Sequence, residues 1–344
     1  MDILSISGPA ISLKTKHFRK AVFCIIFVCS LLSAYQAAKT AAPSATSDFP
    51  KFDASTLPIT AKIRIGGDPD WLAIGFGSVW VSVPKNNEIV RINPKTNSIE
   101  ARIKVGEEPC YGIGVGKTHV WVLNCKSQTL TRIRPQDNTV DQTNSARIAP
   151  HGEGAVAIKK DVVWYVGNED GHSNTLLEID DRKSHMMTVG TDSAVVNAGF
   201  GSIWVTSSGE AKVYRVAPKR HKIIAQISVP ASPRFTTIGE GSVWVLSQSD
   251  GSVSRIDPTT NKVIASIPAN IPGAGGDIAY GGGTIWVAAS GTPVMRIDPK
   301  TNKVIDQYGN YKGADAIRFG FGSVWVSDHG KGDLWRIDPQ KLGH

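Results

Sequence analysis

Short apolar runs rich in Val, Ile and Trp recur along the chain, each bounded by Gly, Pro, Asn or Asp. That pattern predicts strands joined by tight turns. The pattern itself repeats. Seven times between Trp80 and Trp325 the chain spells approximately GFGSVWVS…VxRIDPKTNKVIAxIxV. The tryptophans Trp80, Trp121, Trp164, Trp204, Trp244, Trp286 and Trp325 are 41, 43, 40, 40, 42 and 39 residues apart. A fixed period near 40 means one supersecondary unit stacked on copies of itself.

The first copy shows the unit. Leu72 to Phe76 is a short apolar strand, and the Gly77-Ser78 turn leads into Val79 to Ser82. Ile89 to Ile92 makes a third strand and Ser98 to Val105 a fourth. Between the last two lies Asn93-Pro94-Lys95-Thr96-Asn97, echoed by Asp257-Pro258-Thr259-Thr260-Asn261 and Asp298-Pro299-Lys300-Thr301-Asn302. Proline presets the turn, the preceding Asp or Asn bonds the backbone ahead, and the final Asn tolerates the left-handed region. Four antiparallel strands repeated seven times, with no helical period between them, predict an all-β, seven-bladed β-propeller. The repeated tryptophans are expected to pack between blades.

The ends support the count. The last repeat stops after Trp335-Arg336-Ile337-Asp338-Pro339 without a fourth strand. Ile59-Thr60-Ala61-Lys62-Ile63-Arg64-Ile65 matches a fourth strand such as Val263 to Ile267. Residues 59–65 are therefore expected to complete the last blade and close the ring. An open solenoid would need capping repeats instead.

The start of the chain reads differently. Lys14, Lys16, Arg19 and Lys20 precede the apolar run Ala21 to Ala34, and an Ala/Pro/Ser/Thr stretch follows. This order is that of a secretory signal peptide, residues 1–37, with a flexible linker over 38–52 and the propeller over 53–344. The rival reading is a retained N-terminal membrane anchor, although about 14 apolar residues fall short of the roughly 20 that a span needs. Export places the protein in the periplasm or outside the cell. Removing residues 1–37 leaves 34 basic and 29 acidic residues, a net charge of +5. The basic residues are spread evenly over the repeats, which excludes the concentrated footprint of a nucleic-acid binder.

Two of the four cysteines lie in the signal-like segment. If Lys117-Thr118 is a two-residue turn, Cys110 faces Cys125 across the second repeat's hairpin, close enough for a disulfide. Two small buried thiols are the alternative.

Seven copies provide an internal control. Arg91, Arg132, Arg215, Arg255, Arg296 and Arg336 share one position and read as structural, as do the Asp-Pro turns. Gly75 and Gly77 precede a strand and belong to a turn, not a phosphate loop. Turns between strands one and two and between three and four share one face and are nearly uniform. The remaining loops share the opposite face and diverge there, so any site belongs at that mouth of the channel.

The third repeat departs most: Glu178 occupies the shared Arg position, and the loops around it are longer. Its loops could gather His151 and Glu153 as catalytic groups with Glu169, Asp170 and His172 as metal ligands. A solvated acidic loop with two surface histidines is the competing reading. Asp328-His329 is a second candidate, with His329 as the catalytic group. Around the mouth, Asp70, Trp71, Tyr111, Arg234, Phe235, Asp277 and Asp315 form a rim suited to a small polar ligand or peptide.

Copies such as Gly239-Glu240-Gly241-Ser242-Val243-Trp244-Val245 followed by Ser254-Arg255-Ile256-Asp257-Pro258 resemble exported bacterial propellers of the YVTN-repeat type. They are also similar to the virginiamycin B lyase (streptogramin lyase) family. The resemblance covers about residues 59–339 and implies a seven-bladed propeller. The lyases open a cyclic depsipeptide ester by elimination, using Mg²⁺ with His and Glu at the channel. Their W-F-T-E-like stretch becomes Trp80-Val81-Ser82 and Trp204-Val205-Thr206 here, without the glutamate, so no catalytic position carries over. The resulting expectation is a non-catalytic platform binding a small molecule, peptide or protein at the variable face. The alternative is a metal-assisted lyase or hydrolase, with Mg²⁺ or Ca²⁺ as its ion. No haem-attachment Cys-x-x-Cys-His occurs.

Overall fold

Each repeat folds as a four-stranded antiparallel blade, seen most plainly in blade 1: Leu72–Gly75, Ser78–Val83, Glu88–Asn93 and Ser98–Lys104 in that spatial order. The computed structural model describes residues 49–148, 154–168, 173–180, 183–271, 273, 275–289 and 291–343. Within it the blades form a seven-bladed β-propeller with each first strand innermost. The signal-like segment 1–37 lies outside the described residues.

Closure follows the expectation. Ile59–Arg64 pairs antiparallel with Asp333–Ile337 and supplies the fourth strand of blade 7. Lys51–Asp53, expected to straddle the end of a flexible linker, is a strand. It pairs in parallel with Lys303–Gly309 and gives blade 6 a fifth strand. Phe52 supports this by stacking on Tyr308, with ring centroids 5.1 Å apart.

The core lies between blades, and the repeated tryptophans build it. Trp80, Trp204, Trp244 and Trp325 are fully buried. Trp325 of blade 7 packs in one cluster with Val81 and Val90 of blade 1, and Trp204 of blade 4 with Val243 and Val245 of blade 5. An indole N–H in such a site needs an acceptor. It finds the carbonyl of the glycine five residues earlier: Trp80 to Gly75 at 3.0 Å, Trp204 to Gly199 at 3.1 Å, Trp325 to Gly320 at 3.0 Å.

The shared arginines latch blade to blade. Arg91 sits over the Trp80 ring, 4.9 Å from its centroid, and donates from Nη1 to Pro135 O at 2.6 Å and Asn138 Oδ1 at 2.8 Å in blade 2. Arg215 and Arg255 repeat this toward Asn261 and Asn302. The receiving Asn97, Asn138, Asn261 and Asn302 all have φ between 57° and 61°, the left-handed turn conformation their sequence predicts. Arg132 and Arg296 precede blades that lack a Pro-x-x-Asn turn. They bond Asp141 and Asp306 on their own outer strands.

Cys110 and Cys125 form a disulfide, with Cα atoms 5.8 Å apart. The hairpin register next to the turn is the expected one, Gly114 opposite Trp121. Further out Pro109 faces Asn124, a two-residue slip that places the cysteines diagonally instead of directly opposite.

Candidate functional site at the channel mouth

Buried hydroxyls on second strands shape the mouth. Ser82 Oγ accepts from the backbone N–H of Trp71 at 3.0 Å, Thr206 Oγ1 from Val195 at 3.2 Å and Ser327 Oγ from Ala316 at 2.9 Å. The Thr206 and Ser327 bonds lie where the register shifts, between Ser193 and Val196 and between Ala314 and Ile317. A bulge of this kind re-aims side chains.

The result is a pocket of about 150 Å³ enclosed by Asp70, Trp71, Phe235, Gly276, Asp315, Ala316 and His329. Trp71 of blade 1 and Phe235 of blade 5 lie 6.0 Å apart at 52°. Those blades are not neighbours, so the contact crosses the propeller axis. The same two rings also bound the space beneath, about 300 Å³, lined by innermost strands of all seven blades. They divide the mouth from the channel.

Trp71 is held firmly. Its indole N–H donates to Cys110 O at 3.0 Å, and a Cβ on Gly112 would come within 3.2 Å of its ring. The disulfide thus anchors the residue that accepts the indole. On the opposite wall Gly276 has φ +111°, and a Cβ there would lie 2.5 Å from Ala288 O. Only glycine fits. Its N–H donates to Asp315 Oδ1 at 3.2 Å, which orients that carboxylate.

Beneath the rings Asp277 lies in the channel wall. Its carboxylate accepts from Ile278 N at 2.9 Å, from Ile317 N at 3.1 Å and from the Arg318 guanidinium. Burial pushes its carboxyl above the usual range, against the pull of Arg318 and the two amides. Desolvation and pairing oppose each other in this way at any buried ion pair.

The structure separates the rim residues expected from sequence. Asp70, Trp71, Phe235, Asp315 and His329 share the mouth pocket. Tyr111 is instead buried at 1% exposure, and burial pushes its phenol up, against a pull from Arg234. Arg234 is half-buried beside Phe235 but does not line the pocket. Asp277 is buried below the rings, not on the rim. Asp277 is the first residue of its innermost strand, Asp277–Gly281, and Tyr111 packs in one cluster with Trp121 and Tyr165. Asp328 is fully buried and accepts from Tyr311 Oη at 2.5 Å, leaving only His329 of that pair at the pocket. His151, Glu153, Glu169, Asp170 and His172 lie outside the described residues. Sequence reasoning missed Gly276 and Arg318. Gly276 sits in the Gly273-Ala274-Gly275-Gly276 run just before a first strand, which was its only signal.

A domain of unknown function, DUF5074, matches residues 234–343. No curated protein matches the chain by sequence. Among solved structures, virginiamycin B lyase from Staphylococcus aureus superposes with a TM-score of 0.68 at 16% identity, covering 81% of this chain and 98% of the lyase. U3-55K superposes at 0.66 with 8% identity, covering 82% and 99%. Hydrazine synthase of Kuenenia stuttgartiensis superposes at 0.64 with 10% identity, covering 87% and 99%. These likenesses establish the propeller fold. Their activities differ, as expected when a fold hosts unrelated sites.

Proposed function

We propose that the protein is an exported, non-catalytic binding propeller whose mouth pocket takes a small cationic group carried by a small molecule, peptide or protein. The observation that carries this reading is a pocket lined by two acidic residues, Asp70 and Asp315, together with Trp71 and Phe235, whose rings meet across the axis. Carboxylates above aromatic faces suit an ammonium group, which gains from both charge and ring quadrupole. Size sets the scale of the ligand. At about 150 Å³ the pocket is smaller than the roughly 300–1,000 Å³ typical of small-molecule sites. It accommodates a head group, with the rest of the ligand lying over the variable face.

The test is calorimetric titration of the full chain with primary amines and free-amine peptides, beside their N-acetylated forms. Binding by the amines alone, weakened in Asp315→Asn, supports the proposal. Equal binding of the acetylated forms contradicts it.

One observation favours a second reading, a lyase: His329, a proton acceptor, shares the pocket with both carboxylates. Among the described residues no three ligand atoms converge there for an ion.

A further inference from the structure

We propose that Glu178, His185 and His221 form a binding site for a divalent transition metal of the zinc class at the joint between blades 3 and 4. The site is independent of the mouth pocket and lies on the opposite face, with the turns between third and fourth strands.

At four joints an arginine reaches the left-handed asparagine of the next blade's turn, the closing joint included. At the joint between blades 3 and 4 both members are replaced together. Glu178 holds the arginine position, and His221, at φ 47°, holds the asparagine position. His221 Nε2 is hydrogen-bonded to Glu178 Oε2. A glutamate alone would face carbonyl acceptors with no donor, so one histidine repairs the latch.

That repair does not account for His185. It lies directly opposite Glu178 in the strand register, and its ring stacks on His221 with centroids 4.1 Å apart. One donor atom from each of the three residues lies within 4.8 Å of the others. Tetrahedral coordination at about 2.0–2.1 Å needs donors roughly 3.4 Å apart. His185 is exposed, so side-chain rotation can close that gap.

The donor set selects the metal. Two imidazoles and one carboxylate favour Zn²⁺, Cu²⁺ or Ni²⁺ over the oxygen-seeking Mg²⁺ and Ca²⁺. Three protein ligands leave one position open. Glu178 and His221 border a cleft of about 620 Å³ that also carries Lys159, Lys219 and Arg220. Burial, and after it the charges of Lys160 and Lys219, lower the Lys159 pKa. Such a wall suits an anionic fourth ligand, and it moderates the affinity for the cation.

The test titrates ZnCl₂ into the full chain by calorimetry, with MgCl₂ as comparison. His185→Gln leaves the Glu178–His221 bond in place. Zinc affinity should fall by at least the roughly 10–100-fold that outer-sphere losses already cause, with the melting temperature in EDTA unchanged. Glu178→Arg/His221→Asn rebuilds the ordinary latch, and should abolish this binding while folding as well as the parent. Equal zinc affinity in the parent and both variants, no zinc binding by the parent, or equal binding of magnesium would each overturn the proposal.

Discussion

Arg336 in the last blade donates from Nη1 to Pro94 O at 2.7 Å and to Asn97 Oδ1 at 2.9 Å in the first. Residues 239 positions apart are thereby joined across the closing seam, beside the strand exchange of Ile59–Arg64. Arg336 also lies over the Trp325 ring, 5.1 Å from its centroid.

The latch should therefore carry measurable stability. A cation–π contact adds about 0.5–2 kcal/mol and hydrogen bonds from a charged donor about 1.5–3 kcal/mol. Arg336→Ala should cost roughly 2–4 kcal/mol, seen as a lower urea midpoint at unchanged slope. Arg336→Lys should recover little, since lysine lacks the planar fork. A midpoint shift worth less than about 0.5 kcal/mol would contradict the latch.

The rings across the axis give a second prediction. Phe235 is buried between mouth and channel. Phe235→Ala should cost about 3–5 kcal/mol through the cavity it leaves. Trp71→Phe retains a ring but loses the indole bond to Cys110 O, for about 1–2 kcal/mol. Thermal unfolding of both variants, with the first dropping clearly further, checks the order.

The disulfide should resist alkylation in the native, unreduced protein, which intact mass reports directly. Its sequence separation of 15 corresponds to about 3 kcal/mol of loop-closure entropy. Reduction should lower the denaturation midpoint accordingly. Labelling of Cys110 and Cys125 without reductant would show the bridge to be absent.

Acid should weaken the fold through Glu88. Burial raises its pKa, but hydrogen bonds from Asn86, Arg102 and Lys104 outweigh that and hold it below the ordinary 4.5. A carboxylate depressed in the folded state stabilises above its unfolded pKa. That contribution is lost as pH falls through the folded value. Below about pH 4.5 the parent should lose stability faster than Glu88→Gln; parallel acid limbs in urea midpoints would count against it.

The blades, their number and the closing strand were legible because each rests on a local signal repeated along the chain. The arginines were readable as structural for the same reason, though not that they bridge blades. The mouth was harder. Asp70 and Asp315 each stand ten residues before their blade's tryptophan and line the pocket, whereas Asp277 stands nine before Trp286 and is buried against Arg318. Successive residues of an extended segment face opposite ways, so the distance to the blade tryptophan carries that distinction. The Glu178–His221 pair carried a usable signal that went unread. Two positions that hold Arg and Asn at four other joints change together here.

The position of a bound ammonium group in the pocket over Trp71 and Phe235 decides between the readings. The most direct measurement is a crystal structure of the full chain with the tightest-binding amine. The account predicts the ammonium nitrogen above the Trp71 ring, within hydrogen-bonding distance of the Asp315 carboxylate. An amine that saturates the protein in solution yet sits elsewhere, leaving that pocket without it, would contradict the account.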